Sequence, residues 1–107
     1  MSATFERIRA LVQSDDIKIF DHGYDEMSNE NILARDVIHV VHDGIVVEDY
    51  PTYAKGPCVL VFQLDHEQQP LHVVWGIPKN FSSPAVVVTA YRPKPQLWSE
   101  DFLRRKS

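Results

Sequence analysis

Four apolar segments of strand length follow one another through residues 45–50, 58–64, 70–75 and 86–91, with only short connections between them. Strands joined by short loops pair antiparallel, because a parallel return needs a long crossover. The stretch therefore predicts an antiparallel sheet. Successive side chains in a strand point to opposite faces. Leu60, Phe62 and Leu64 alternate with Val59, Val61 and Gln63. His72 shares a face with Val74, opposite Leu71, Val73 and Trp75. Thr89 and Tyr91 share a face with Val87, opposite Val86, Val88 and Ala90. Pairing the last two segments gives one apolar face and one that holds an imidazole, a hydroxyl and a phenol. Pro93 and Pro95 end the last strand, since proline cannot donate to a ladder.

The N-terminal half is helical in character. Phe5, Ile8, Leu11 and Val12 recur at helical spacing and predict an amphipathic helix over 3–13. Residues 17–20 suit a short strand. Asp21-His22-Gly23 reads as a turn into a helix over 24–29, and Asn31 suits the left-handed conformation that ends a helix. A further helix is expected over 34–42, with Asp36 in its first turn and Asp43-Gly44 as its stop. Trp98 to Arg105 reads as a short C-terminal helix. The expected architecture is an α+β domain spanning 1–107, with four to five antiparallel strands and helices on one face.

The chain has 107 residues, enough for one core and too few for two. No apolar run reaches the ~20 residues of a membrane span. Residues 1–13 lack the layout of a signal peptide. Cys58 is the one cysteine, so neither an intrachain disulfide nor a cysteine-rich zinc site is available. A cytoplasmic location is the expectation. The net charge of −4 argues against strong non-specific binding to nucleic acid, which favours a basic surface. Arg104-Arg105-Lys106, with Arg92 and Lys94 upstream, forms the one basic cluster.

Each reactive side chain has a chemical reading and a bland one. His72 can move protons near neutral pH, or be a histidine tied to a neighbour. His22 can help hold a phosphate at a helix N-terminus, or cap a turn. Tyr91 can donate a proton or stack on a base, and Arg92 can steady a phosphorane-like charge; alternatively both pack at the sheet edge. Thr89 and Glu48 lie where a substrate could be held, although Glu48-Asp49 also reads as an exposed pair. His39 and His42 share a helix face but lack a third ligand, so no metal and no cofactor is expected. Cys58, in an apolar run, reads as core.

Taken together, His22, Met27, Ile32, Gly44-Ile45-Val46-Val47-Glu48-Asp49-Tyr50, Gly56-Pro57-Cys58-Val59-Leu60, Pro70-Leu71-His72-Val73-Val74, Thr89-Ala90-Tyr91-Arg92-Pro93 and Trp98 resemble the bacterial domain-of-unknown-function family numbered 4258. The resemblance runs from about residue 17 to 105. Members look like relatives of RelE/ParE-like toxins and of the wider barnase-like nuclease fold. Some are encoded beside a zinc-ribbon, helix-turn-helix protein resembling an antitoxin. The resemblance implies a metal-independent endoribonuclease, with a 2′-hydroxyl attacking the adjacent phosphate, His72 or His22 moving protons and Arg92 steadying the charge. The chain departs from the pattern at Glu26 and Glu30, where the family carries arginines; these acids would repel a phosphodiester.

Two functions are therefore expected in competition. One is a toxin-like ribonuclease acting on RNA, with an antitoxin-like protein partner. The other is a non-catalytic interaction module that dimerises through a sheet face carrying Val61, Val74 and Val87, since extended exposed apolar patches mark contacts.

Overall fold

The computed structural model describes residues 2–106. The elements run α1 (Ala3–Gln13), β1 (Ile17–Ile19), α2 (Asp21–Asn29), α3 (Ala34–His39), a 3₁₀ turn (Val41–Asp43), β2 (Ile45–Tyr50), β3 (Cys58–Leu64), β4 (Pro70–Gly76) and β5 (Ala85–Tyr91). The five strands form one sheet in the order β1-β5-β4-β3-β2. The meander from β2 to β5 is antiparallel, as its short connections require. β1 instead lies parallel to β5, so the sheet is mixed and not wholly antiparallel. Helices α2 and α3 carry the chain from β1 to the far edge of the sheet. The meander then returns to β1 with β5 running in the same direction.

Local chemistry explains the helices. The Ser2 hydroxyl accepts from the Phe5 amide at 3.0 Å and caps α1, whose Phe5, Ile8 and Val12 are buried. α2 starts at Asp21, three residues before the expected Tyr24. It lies directly on β5: a Cβ on Gly23 would sit 3.1 Å from the Val87 carbonyl oxygen. Asn31 has φ +56°, the left-handed end expected of it. The helix expected over 34–42 divides at Val40 into α3 and the 3₁₀ turn.

The helices cover one face of the sheet. Val59, Val61, Leu71, Val73, Trp75, Val87 and Ala90 meet Phe5, Ile8, Met27, Val37 and Val41 there. Burying each of the larger aliphatic side chains contributes about 1.5–3 kcal/mol. One polar chain crosses this core. Trp75 Nε1 donates to Gln63 Oε1 at 2.9 Å, and Gln63 Nε2 donates to the Val37 carbonyl at 2.8 Å. It ties the end of α3 to the middle of the sheet.

A bulge corrects the facing expected for β5. Val74 pairs with Thr89, but Trp75 pairs with Val87, leaving Val88 as the extra residue. Val87 therefore turns into the core, while Val86 and Val88 turn to the other face. Val61, opposite Val73, is likewise core. Val61, Val74 and Val87 thus do not share a face, and no dimer surface forms from that trio.

The C-terminal segment is not a helix. Ser99 N donates to the Arg104 carbonyl at 2.8 Å and Lys106 N to the Leu97 carbonyl at 2.9 Å, with a bridge between Trp98 and Arg105. The Asp101 carboxylate accepts from the Ser99 hydroxyl and the Leu103 amide. Phe102 takes φ +61°. These side-chain bonds offer the backbone an alternative to helix, and a small hairpin results.

Candidate functional site

The face of the sheet away from the helices is built in rows by cross-strand pairing. One row holds Phe62, His72 and Tyr91. The next holds Glu48, Leu60, Val74 and Thr89. A third holds Tyr50, Cys58, Gly76 and Val86. A cleft of ≈ 650 Å³ lies on this face. Leu60, Val74, Val86 and Val88 give it an apolar floor. Phe20, Tyr50, Tyr53 and Tyr91 supply aromatic walls, and Glu48, Lys55 and Arg105 supply charge. Cys58 also borders it; burial, helped by Asp49, pushes the thiol up and keeps it protonated.

His72 is fully buried. The C-terminal hairpin closes over it. The Trp98 ring stands edge-on at 4.4 Å, and His72 Nε2 lies 2.8 Å from the Phe102 carbonyl oxygen. A carbonyl only accepts, so Nε2 carries the proton. Nδ1 is then free to accept from the Tyr91 hydroxyl at 3.2 Å. Burial lowers the His72 pKa; the Phe102 carbonyl and Glu48 oppose that only in part. Burial likewise raises the Tyr91 pKa. Near neutral pH both groups are uncharged. Tyr91, and not His72, borders the cleft.

Beside them is a charged cluster. Arg105 binds Glu48 with two donors, Nε to Oε2 at 2.7 Å and Nη2 to Oε1 at 3.0 Å. The Tyr50 hydroxyl donates to Oε1 at 2.8 Å. The guanidinium lies 4.7 Å from the centre of the Trp98 ring, a cation–π arrangement. The Arg105 hydrogen bonds hold the Glu48 carboxyl below its usual range against the opposing effect of burial, with Tyr50 adding to them.

The other expected site residues are placed apart from this cleft. Thr89 lies on the same face but does not line it. Arg92 follows Tyr91 and is tied elsewhere. Its Nη1 pairs with Asp65 at 3.0 Å, its Nε donates to the Glu30 carbonyl and its Nη2 to the Asn31 carbonyl. Asp65 is buried and also accepts from the Glu67 and Gln69 amides. Burial raises its pKa, but those amides and Arg92 prevail and hold it low. His22 is exposed, with Nε2 3.8 Å from Glu26. His39 and His42 belong to no group of three metal-ligating side chains among the described residues. Arg105 and Tyr50 were not singled out from the sequence. The basic terminus and the Tyr50 of the family-like motif were the signals available.

Among the described residues, no helix is long and apolar enough to cross a membrane. No curated protein and no solved structure matches the chain. Residues 19–92, which carry every strand of the meander and all but the C-terminal wall of the cleft, match the family model described as Domain of unknown function (DUF4258), and the chain belongs to that family.

Proposed function

We propose that the uncovered sheet face binds single-stranded RNA and cleaves it by metal-independent proton transfer, as in RelE/ParE-like and barnase-like nucleases. The observation that carries this reading is the Tyr91 hydroxyl, which borders the cleft while hydrogen-bonded to the buried imidazole of His72. Unpaired bases stack on aromatic side chains with little regard to sequence. Phe20, Tyr50 and Tyr53 offer such surfaces, with Lys55 and Arg105 nearby for phosphate.

The proton movements balance through one relay. As a 2′-hydroxyl attacks the adjacent phosphorus, its proton passes to Tyr91 Oη while the Tyr91 proton passes to His72 Nδ1. The imidazolium so formed donates through Nε2 to the Phe102 carbonyl. The P–O5′ bond breaks, the 5′-oxygen takes a proton from water, and the hydroxide left behind recovers the relay proton from His72 through Tyr91, which returns both groups to their neutral state. The products are a 2′,3′-cyclic phosphate and a 5′-hydroxyl. In this scheme His72 acts through Tyr91, and Arg92 and His22 take no part.

The test is incubation of a mixed RNA pool with the purified protein in EDTA, beside Tyr91→Phe. Wild type is expected to leave cyclic phosphate ends, and Tyr91→Phe to be slower by about 100-fold or more. Equal rates for both proteins, or no cleavage by folded wild type, overturn the reading.

The apolar floor of the cleft favours a second reading, a protein-interaction module without catalysis. Its partner would be a second copy of the chain or an antitoxin-like protein seated on this face. A concentration-dependent dimer that Val74→Glu dissociates, in protein without ribonuclease activity, would support it.

A further inference from the structure

We infer that the Arg105 end of the cleft is a phosphate-binding site, and that the Glu48 carboxylate occupies the place of the anion when the site is at rest. The inference rests on the nucleic-acid reading above for the identity of the ligand. It rests on geometry for the site itself. A guanidinium fork that meets two oxygens of one carboxylate presents the same donors to two oxygens of a phosphodiester. Here the fork is formed by Arg105 Nε and Nη2 at 2.7 and 3.0 Å from Glu48. The Tyr50 hydroxyl converges on the same carboxylate as a third donor, at 2.8 Å.

The three groups all border the cleft. The Arg105 side chain is 63% exposed and that of Glu48 only 23%, so an incoming anion can reach the guanidinium. The Trp98 ring packs against the guanidinium, 4.7 Å from its central carbon, and helps hold the side chain at this end of the cleft. An ion pair whose arginine is largely exposed is screened by water and adds modestly to folding, so exchanging one anion for another on Arg105 costs the fold little. Glu48 then swings outward from β2, beside the bulge at Val47. Its charge competes with the ligand, so the site is tuned to bind weakly and to release product.

The competition gives a sign that a purely structural ion pair would not. Removing the Glu48 charge should strengthen anion binding, whereas removing Arg105 should abolish it. The probe is inorganic phosphate, titrated at constant ionic strength with chloride as the balancing anion. The readout is the ¹H–¹⁵N signal of the Arg105 Nε–H group, with backbone amide shifts around Tyr50 used for variants that lack the arginine. Glu48→Gln is expected to bind phosphate about tenfold more tightly than wild type, because a like charge has left the site. Arg105→Gln is expected to show no saturable shift.

Glu48→Gln binding no tighter than wild type, or Arg105→Gln retaining phosphate, overturns the inference and leaves the pair as a tie between β2 and the C-terminal hairpin. Should Glu48→Gln fail to fold by its amide spectrum, Arg105→Lys decides. Weaker phosphate binding than wild type is expected from the loss of the fork, and unchanged binding overturns the proposal. The outcome is separable from ribonuclease activity. Phosphate binding without RNA cleavage retains this site and removes the nuclease reading. Cleavage with no response to phosphate does the reverse.

Discussion

His72 and Tyr91 face each other across β4 and β5, and the phenol donates to an imidazole that is shut away from solvent. The arrangement separates two properties that a surface histidine combines. The hydroxyl borders the cleft, and the buried ring accepts its hydrogen bond.

That burial has a pH signature. Burial depresses the His72 pKa below the ordinary histidine value of about 6.5. The unfolded chain therefore binds the proton first as pH falls. The contribution to stability is fully present above about 6.5 and is lost as pH drops toward the folded-state value. His66 has the opposite sign. Its hydrogen bond to Asp36 at 2.7 Å raises its pKa, so its contribution is present below 6.5 and lost as pH rises through the folded value. In a His66→Gln background the thermal midpoint should fall as pH goes from about 7.5 to about 5.5. A melting series by circular dichroism checks this. A flat series would mean that His72 titrates normally.

Arg92 should matter to folding and not to the cleft. Removing a partner of a buried carboxylate leaves that charge uncompensated. Arg92→Gln is expected to destabilise the protein by roughly 2 kcal/mol, reduced from the fully buried case by its partial exposure. Urea denaturation reads the loss. RNA cleavage per folded molecule should be unchanged, in contrast to Tyr91→Phe. His22→Ala, at an exposed position, should alter neither quantity beyond about 0.5 kcal/mol.

Trp75→Phe tests the polar chain through the core. It keeps the aromatic packing but removes the donor to Gln63, leaving a buried amide oxygen unsatisfied. About 1–3 kcal/mol should be lost in chemical denaturation. Trp75→Phe combined with Gln63→Leu should recover part of that loss on the sheet side, while leaving the Val37 carbonyl without its donor.

Gly44 is required by closeness to the sheet. A Cβ there would lie 2.5 Å from Val61 Cγ1 and 3.0 Å from the Val41 carbonyl oxygen. Gly44→Ala should cost about 1–3 kcal/mol through overpacking. Val61→Ala in the same chain should relieve part of the strain, a coupling that a double-mutant cycle measures.

Much of the local structure was legible in the residues. Periodicity located α1 and the four meander strands, because spacing within one element determines which side chains share a face, and residue type located the left-handed Asn31. It also brought His72 and Tyr91 to one face of the sheet. Arg92 was misleading for a different reason. It follows the last residue of β5 and is held away from the cleft by Asp65 and by the carbonyls at the end of α2.

By itself, then, the sequence determined the α+β order of elements and the alternation of side chains along β3 and along β4. These depend on contacts a few residues apart. The tertiary structure decided the rest. It set β1 parallel to β5, let Val88 bulge so that Val87 turned inward, and folded the C-terminal residues into a hairpin that seals His72 and delivers Arg105 to Glu48. Each of these depends on register or packing between segments distant in the chain, where side chains compete for one partner surface. No local pattern of apolar and polar residues encodes the winner of that competition.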